Sequence, residues 1–388
     1  MSVAHTRVAV IGGGVVGCAV AHALARREVP ALVLEAEPEL ALGASGANSG
    51  ILHTGFDSVP GELETALILR SAVLREELLD ELGVGVLRCG ARLTPTDEDE
   101  RAAVARLAAR ARGNGVEAQL GDDGALTVPG EAVTDPVAFV HALAGAAHLG
   151  GAELRLGARV SGLAGTAGAG VTVELQTGEL LEVGAAVNCG GLFADELARM
   201  AGDEPVRIYP RKGEFLVFSP PEGEPLGRIL LPVPSALGKG VLVFPTVDGE
   251  IVAGPTARER EDKRDWSVER DAHELIFGRA RRMYPALERA TELGAYAGLR
   301  PAGMQANYVI VSSRTLPGLV HVAAIRSTGL SASLGIAEHV VAMLAEHGAI
   351  EPRPPHPLPA PAPAPSTERW WQRAARGREA PHGHETRT

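Results

Sequence analysis

The chain has 388 residues, of which 45% are hydrophobic and 22% charged, which is enough for a large core and for more than one domain of ordinary length. Its formal net charge of -11 argues against a nucleic-acid partner, because proteins that bind nucleic acids usually carry a basic surface. Cys18, Cys89 and Cys189 are scattered and form no CxxC pair, so neither a metal site nor a disulfide framework is expected.

The start of the chain has no long apolar segment before the first β-branched run, so we expect no signal peptide. No segment has the length and hydropathy of a transmembrane span. Unpaired cysteines are typical of a reducing compartment, and the sequence therefore predicts a cytoplasmic protein.

The first elements predict a βαβ unit. Residues 7–11 are a β-branched run, residues 15–27 have the composition of a helix, and residues 31–35 form a second strand pattern. Such a unit indicates a parallel sheet with a right-handed crossover.

The turn between the first strand and the first helix has the spacing G-x-G-x-x-G. Gly12 suits the tight turn, Gly14 allows a pyrophosphate to approach the backbone, and Gly17 allows the helix to pack closely on the strand. Glu35 at the end of the second strand can accept a hydrogen bond from a ribose hydroxyl, which disfavours the 2′-phosphate of NADP. The turn therefore predicts an adenine dinucleotide but does not separate FAD from NAD.

The middle of the chain alternates helices and strands. Residues 41–50 are too rich in small residues for a regular element. Helices are predicted at residues 62–82, 98–112 and 136–148, and strands at residues 153–156, 171–175 and 185–189.

Short alternating runs between residues 206 and 254 predict an antiparallel sheet. A helix at 267–284, a buried strand at 319–324 and a helix at 335–347 follow. The fold class is thus mixed α/β (α+β), a Rossmann-type FAD/NAD(P)-binding domain interrupted by an antiparallel-sheet substrate domain. The predicted limits are 1–80, 135–205 and 298–349 for the first domain, and 81–134 and 206–297 for the second.

The composition changes abruptly after Ile350. Residues 352–365 are rich in proline, which excludes a helix or a central strand, and Trp370 and Trp371 follow among several arginines. We expect residues 350–388 to be a disordered tail. The alternative is a peptide that docks on a partner or makes peripheral contact with a membrane, with the two indoles as anchors.

Several short motifs carry a family resemblance through their order along the chain. They are residues 43–55 (GASGANSGILHTG), 56–63 (FDSVPGEL), 134–136 (TDP), 187–191 (VNCGG), 210–215 (PRKGEF), 238–246 (GKGVLVFPT), 248–256 (DGEIVAGPT), 298–302 (GLRPA) and 327–333 (STGLSAS). Together with the glycine turn they resemble the D-amino-acid-oxidase-like FAD-dependent oxidoreductases, and within that group the FAD-dependent glycerol-3-phosphate dehydrogenases and oxidases. The L-2-hydroxyglutarate oxidases share much of the same frame.

The resemblance implies an enzyme with non-covalent FAD that oxidises a small anionic substrate. Its first candidate reaction is the oxidation of sn-glycerol 3-phosphate to dihydroxyacetone phosphate. L-2-hydroxyglutarate, or another 2-hydroxy or amino acid, is the alternative substrate, and a flavin-binding partner protein without turnover is an alternative of another class. The electron acceptor stays open between oxygen, a quinone and a redox partner.

The resemblance places a catalytic histidine at His53, directly after the small-residue loop. A base that removes the hydroxyl proton is needed while the hydride goes to flavin N5, and histidine has a suitable pKa for it. The alternative is a histidine that only orients the cofactor. Arg300 in GLRPA is expected to bind the substrate anion and to act in catalysis, because its planar fork suits phosphate or carboxylate. Ser327 and Lys239 are further candidate substrate ligands.

Other residues near these motifs are weaker candidates. Arg211 and Lys212 could add positive charge, although surface charges of this kind are more often solvated. Glu214 and Phe215 could form the floor of the site.

The candidate cofactor ligands lie in the glycine turn, the small-residue loop, two later strand ends and the start of the last helix. Small residues let backbone N–H groups approach a flat cofactor, and a helix N-terminus can stabilise a reduced, anionic flavin. The candidates are Gly12, Gly14, Val15, Val16, Gly17, Glu35, Ala44, Ser45, Asn48, Ser49, Gly50, Val160, Gly190, Gly329, Leu330 and Ser331.

Overall fold

The structure is a computed structural model that describes residues 7–166, 170–234, 240–304, 307–362 and 368–376. The helices of these residues are α1 (Val15–Ala25), α2 (Leu63–Glu81), α3 (Glu98–Gly113), α4 (Pro136–Leu149), α5 (Ala194–Met200), α6 (Arg270–Met283), α7 (Gly329–Glu346) and α8 (Trp370–Ala375). Short 3-10 helices lie at Gly191–Phe193 and Pro285–Arg289.

The strands of these residues are β1 (Val8–Ile11), β2 (Ala31–Leu34), β3 (Ile51–Leu52), β4 (Val86–Leu87), β5 (Ala91–Leu93), β6 (Gln119–Leu120), β7 (Leu126–Val128), β8 (Ala132–Thr134), β9 (Glu153–Arg155), β10 (Val160–Gly165), β11 (Val171–Leu175), β12 (Leu180–Val183), β13 (Ala185–Asn188), β14 (Ile208–Ser219), β15 (Ile229–Leu231), β16 (Leu242–Pro245), β17 (Ile251–Gly254), β18 (Arg258–Glu259), β19 (Thr291–Gly303), β20 (Val309–Ser312) and β21 (Leu319–Ala323).

A six-stranded sheet in the order β20-β21-β13-β1-β2-β9 forms the centre of the nucleotide-binding part. Its strands are parallel except for the antiparallel edge strand β20. Val8 and Val10 face a core that includes residues of α1, α4 and α7, whereas Ala9 and Ile11 face the sheet β10-β11-β12. The alternation of side chains along β1 thus places one layer on each face. The predicted βαβ unit and the mixed α/β fold are confirmed.

A nine-stranded sheet forms the second part of the molecule. Its longest strands, β14 and β19, pair in antiparallel fashion from Ile208 opposite Gly303 to Ser219 opposite Thr291. Strands β5, β6 and β7 join the same sheet, so that residues from both predicted segments of the substrate domain meet there. The predicted domain limits stay predictions.

A small sheet of β3, β8 and β4 lies between these parts. Ile51 pairs with Val133, and Leu52 pairs with Ala132. Because β3 ends at Leu52, its pairing with β8 fixes the position at which the next residue, His53, leaves the sheet.

The last long helix, α7, begins at Gly329, earlier than the predicted start at residue 335. Its first turns contain the small residues Ser331 and Ser333, which are buried and whose hydroxyls donate to backbone carbonyl oxygens. These serines resemble loop residues in the sequence, but in the structure they form the buried face of the helix.

The disorder predicted for residues 350–388 stays a prediction. Residues 351–362 are mostly exposed but contact the nucleotide-binding part at a few points. Backbone N–H groups of Arg353 and His356 donate to the carbonyl oxygens of Arg27 and Arg26. Pro361 packs on Gly145 of α4, where a Cβ atom would come within 2.8 Å of its ring. The proline run thus lies at Pro361 against a helix surface that lacks a side chain at Gly145.

The two tryptophans are also buried, so they are not free to anchor the chain on a membrane or a partner in this state. Trp370 is 2% exposed, and its ring meets Tyr296 edge to face with a centroid distance of 5.2 Å. Trp371 is 5% exposed and packs on Gly294 of β19. Composition predicts disorder for this segment, whereas burial of the two indoles removes a large apolar area from water.

Replacement of Trp370 with leucine is expected to lower the free energy of unfolding by about 2 kcal/mol, because the smaller side chain loses the contact with Tyr296 and leaves a cavity. Denaturation of the FAD-loaded protein with urea measures this change. The control is Met304→Ala. Because Met304 is 84% exposed, this substitution should change the free energy of unfolding by at most about 0.5 kcal/mol. Equal stability of the two variants would contradict the packing of α8 on β19.

Candidate active site

A cavity of about 1030 Å³ extends from the glycine turn to the nine-stranded sheet. Its walls include the ends of β1 and β2, residues 43–49 and 189–193, the start of α7, and the middle of β14 and β19. The carboxyl ends of parallel strands are where open α/β sheets bind ligands, so this cavity is the candidate active site.

The glycine turn leaves no room for side chains. Gly12 has a φ of +116°, and a Cβ atom on it would lie 2.4 Å from the carbonyl oxygen of Cys189. A Cβ atom on Gly17 would lie 1.9 Å from the carbonyl oxygen of Gly12, so this residue sets how closely α1 approaches β1. Gly12 and Gly14 line the cavity, so this turn forms a cradle whose bare backbone faces it.

The N-terminus of α1 at this cradle is open to an anion. Its N-cap residue, Gly14, makes no side-chain cap, and the first turn contains no acidic residue. The N–H of Val15 donates to the Ser45 hydroxyl at 2.9 Å. A helix N-terminus of this kind favours the negative charge of a pyrophosphate.

The carboxylate of Glu35 lies beside the same turn. Its Oε2 accepts from the N–H of Gly13 at 2.5 Å, and its Oε1 accepts from the N–H of Glu37 at 2.9 Å. Because a carboxylate has about four acceptor positions, each oxygen retains a lone pair for a ribose hydroxyl. The glycine cradle and this acid fit the adenosine diphosphate portion of FAD.

Most of the predicted cofactor ligands line the cavity. They are Gly12, Gly14, Val15, Val16, Glu35, Ala44, Ser45, Asn48, Ser49, Val160, Gly190, Gly329 and Leu330. The remaining three lie behind the wall. Gly17 packs on β1, Gly50 lies under the carbonyl oxygen of Thr134 with a φ of +77°, and Ser331 bonds to the loop that holds His53.

The imidazole of His53 lines the cavity and is held by a buried carboxylate. Its Nδ1 lies 2.8 Å from Oε2 of Glu131, which is fully buried. The other oxygen of Glu131 accepts from the N–H and the hydroxyl of Thr54 at 2.7 and 2.8 Å. This carboxylate therefore fixes both the ring and the residue after it.

The protonation of Glu131 follows from these contacts. Burial would raise the pKa of its carboxyl group, but the charge and hydrogen bond of His53 and the donors of Thr54 outweigh burial and lower the pKa. An ionised Glu131 accepts from Nδ1–H of either form of His53, and when the ring is neutral its free lone pair is therefore on Nε2. Such an arrangement prepares the ring to accept a proton.

The backbone of His53 is held as well. Its N–H donates to the Ser331 hydroxyl at 2.8 Å, and its carbonyl oxygen accepts from Nη2 of Arg75 at 2.6 Å. Arg75 is buried in α2 and also donates to the carbonyl oxygen of Ser331 at 3.2 Å. This guanidinium joins the loop of His53 to the first turn of α7.

Arg300 extends from β19 into the cavity wall. Its Nε donates to the carbonyl oxygen of Arg211, and its Nη2 donates to the carbonyl oxygens of Lys212 and Thr256. A Cβ atom at Gly213 would come within 3.1 Å of Nη2, so this glycine makes room for the guanidinium. Burial lowers the pKa of Arg300 to about 10, with the charge of Arg211 acting in the same direction, and the group stays protonated at neutral pH.

Alternation along β14 separates residues that are neighbours in the sequence. Arg211 and Phe215 line the cavity. Lys212 is fully buried, with its Nζ 2.9 Å from Asp265, and Glu214 accepts from the Thr256 hydroxyl. Lys212 and Glu214 thus form structural contacts behind the cavity, because successive side chains of a strand point to opposite faces.

Of the other two predicted substrate ligands, the structure describes Ser327 but not Lys239. Ser327 lines the cavity at the exposed turn before α7. Lys239 lies outside the described residues.

Sequence reasoning missed Glu131 and Arg75. For Arg75 a signal existed, since it follows Ser71 by four positions and precedes Leu78 by three, which places it on one face of the predicted helix. For Glu131 the signal was weaker, an acid directly before the short apolar strand β8.

None of the helices in the described residues combines the length and the hydropathy needed to span a bilayer. The same residues contain no cluster of three or more His, Cys, Asp or Glu side chains that could hold a metal ion.

A dinucleotide cradle next to an oriented imidazole defines the class of the protein as a nucleotide-dependent redox enzyme. The family model described as FAD dependent oxidoreductase (DAO) matches residues 7–343, and the chain belongs to this family. Its cofactor is FAD, and the predictions of family, cofactor and enzyme class are confirmed.

Curated relatives cover most of the chain. A glycerol 3-phosphate dehydrogenase of Caloramator mitchellensis is 30% identical over 87% of this chain and 73% of the relative. A glycerol 3-phosphate oxidase of Mycoplasma pneumoniae is 26% identical over 87% of this chain and 94% of its own. An L-2-hydroxyglutarate dehydrogenase of Salmonella houtenae is 30% identical over 66% of each chain.

Solved structures agree on the fold. The dithionite-reduced L-α-glycerophosphate oxidase of Mycoplasma pneumoniae with FAD bound has a TM-score of 0.81 at 24% identity, covering 92% of this chain and 96% of that one. A glycine oxidase of Geobacillus kaustophilus has a TM-score of 0.77 at 24% identity, covering 88% and 95%.

Proposed function

We propose that the protein oxidises sn-glycerol 3-phosphate to dihydroxyacetone phosphate. The observation that carries this proposal is the presence, in the wall of one cavity, of a histidine oriented by a buried carboxylate and an arginine whose donors meet only carbonyl oxygens. The first group suits an alcohol that must lose a proton, and the second suits an anionic substrate. The curated relatives named for glycerol 3-phosphate support the same choice.

In the proposed reaction, Nε2 of His53 accepts the proton of the hydroxyl group at the carbon that is oxidised. Glu131 keeps the proton on Nδ1 and stabilises the imidazolium that forms. A bound FAD would supply the acceptor for the hydride of that carbon, N5 of its ring. The proton and the hydride together account for the two hydrogens lost by the alcohol.

Arg300 is proposed to bind the phosphate group and thereby to place the hydroxyl group near His53. Its Nε and Nη2 are occupied by carbonyl oxygens, which fixes the plane of the guanidinium before a substrate arrives. A preoriented donor loses little entropy when it binds an anion. The Ser327 hydroxyl at the cavity surface is a further proposed substrate contact.

Anaerobic stopped-flow mixing tests the proposal. The FAD-loaded protein is mixed with sn-glycerol 3-phosphate or with L-2-hydroxyglutarate, and the loss of visible flavin absorbance is recorded. We expect glycerol 3-phosphate to reduce the flavin, and no reduction at millimolar concentration would reject it as substrate. Faster reduction by L-2-hydroxyglutarate would favour the alternative, whose relatives also match the chain. Re-oxidation by air or by a quinone then separates an oxidase from a dehydrogenase.

Free glycerol is expected to be a poor substrate. Without an anion, Arg300 stays buried next to Arg211 with no counter-charge, and binding energy is lost. We expect the second-order rate constant for flavin reduction by glycerol to be about 10²-fold lower than for glycerol 3-phosphate. Comparable values for both compounds would contradict a role of Arg300 in substrate binding.

A further inference from the structure

Two guanidinium groups are neighbours in the cavity wall. Arg211 of β14 and Arg300 of β19 are directly opposite each other in the antiparallel pair, and both line the cavity. Opposite residues of such a pair project to the same face of the sheet, and like charges at these positions are unfavourable. A negative charge between the two guanidinium groups would offset this repulsion.

The other arginines of the wall have carboxylate partners or are exposed. Arg159 pairs with Glu37, Arg258 with Glu214 and Arg326 with Glu64, while Arg264 and Arg279 are exposed. Within the described part of the chain, neither Arg211 nor Arg300 forms an ion pair. No oxygen of the described residues accepts a hydrogen bond from the Nε of Arg211 either.

We propose that Arg211 is a second ligand of the substrate's anionic group and makes the site selective for a dianion, such as a phosphate monoester, over the single charge of a carboxylate. This inference rests on the proposed function, because it specifies the charge of the group that the same site binds. A phosphate monoester carries a charge of about -1.5 to -2 at neutral pH, whereas a carboxylate carries -1.

The number of donors supports two ligands. Carbonyl oxygens occupy Nε and Nη2 of Arg300, so that its Nη1 is left for the substrate. One nitrogen cannot satisfy the three oxygens of a phosphate group, and the guanidinium of Arg211 supplies the missing donors. A carboxylate, with two oxygens and one charge, needs the second guanidinium less.

Affinity for simple anions tests this proposal without turnover. The dissociation constants of inorganic phosphate at pH 8 and of acetate are measured on the FAD-loaded full chain from their perturbation of the visible flavin spectrum. We expect Arg211→Gln to weaken phosphate binding about 10–100-fold and acetate binding by less than about 3-fold. Arg211→Lys, which retains the charge, should keep most of the preference for phosphate.

The matched control is Arg207→Gln, which removes an exposed arginine that does not line the cavity and should leave both constants unchanged. Unchanged phosphate binding in Arg211→Gln, or an equal loss for both anions, would overturn the inference. The proposed substrate is tested separately by flavin reduction. If glycerol 3-phosphate fails to reduce the flavin while phosphate binding still depends on Arg211, the substrate is wrong and the dianion site stands.

Discussion

Replacement of His53 with asparagine is expected to lower the rate constant of flavin reduction by about 10²–10⁴-fold, the usual contribution of a general base. Asparagine retains polarity at the position but cannot accept a proton near neutral pH. Anaerobic stopped-flow reduction at saturating glycerol 3-phosphate measures the effect, and the visible spectrum verifies that FAD stays bound. An unchanged rate constant would show that His53 is not the base of the reaction.

A second histidine provides a matched control for this substitution. His273 contacts Glu292 at 2.7 Å, so it forms the same type of pair, but on the exposed surface of α6. We expect His273→Asn to reduce flavin at the wild-type rate. Loss of rate in both variants would indicate an effect on folding instead of chemistry.

Glu131→Gln tests whether flavin reduction needs the tautomer that Glu131 imposes on His53, in addition to the imidazole itself. The side-chain oxygen of glutamine is needed by the two donors of Thr54, so its NH₂ group must face Nδ1 of His53. The imidazole then carries its proton on Nε2 and cannot act as the base. We expect a loss of about 10²–10³-fold in flavin reduction with little change in FAD content.

Replacement of Gly17 with alanine is expected to weaken FAD binding by about 10²-fold or more, so that the purified protein loses its yellow colour. The added methyl group would lie 1.9 Å from the carbonyl oxygen of Gly12, and backbone atoms cannot move aside as a flexible side chain does. Movement of α1 away from β1 would displace the N–H groups that face the pyrophosphate. The FAD content after purification and titration of the apoprotein with FAD measure the change.

Gly278→Ala is the matched control for this prediction, because it adds the same methyl group to another helix, α6. No atom lies within 4 Å of the added position, so FAD binding should be unchanged. Stability should rise slightly, since alanine has the higher helix propensity. Full FAD content in Gly17→Ala would contradict the close approach of α1 and β1.

The nucleotide-binding part of the fold could be predicted because its signals are local. The glycine turn and the acid of Glu35 occur within one βαβ unit, and their spacing has a direct geometric reason. The tail shows the opposite case. Proline content predicts an extended and solvated chain, whereas the order of residues 368–376 depends on the contact of Trp370 with Tyr296, which is distant in sequence.

His53 and Arg300 were proposed from the family resemblance and from the chemistry of their residue types, and both line the cavity. Glu131 could not be found in this way, because its partner is 78 positions away in the chain and only the pairing of β3 with β8 brings the two together. The different positions of Arg211 and Lys212 likewise follow from the register of β14 on β19. Their sequence shows two adjacent cations and gives no sign of which one faces the cavity.

The pairing of β14 with β19 restricts how this enzyme can diverge. If β14 moved by one residue relative to β19, Lys212 would turn toward the cavity and Arg211 would be buried against Asp265. The reason is that alternate positions of a strand exchange faces in such a shift. The one irregularity in this pairing lies between Val217 and Phe218, beyond the stretch from Arg211 to Phe215. An insertion or deletion within this stretch would therefore exchange the residues that face the cavity, whereas a point substitution would change only one of them.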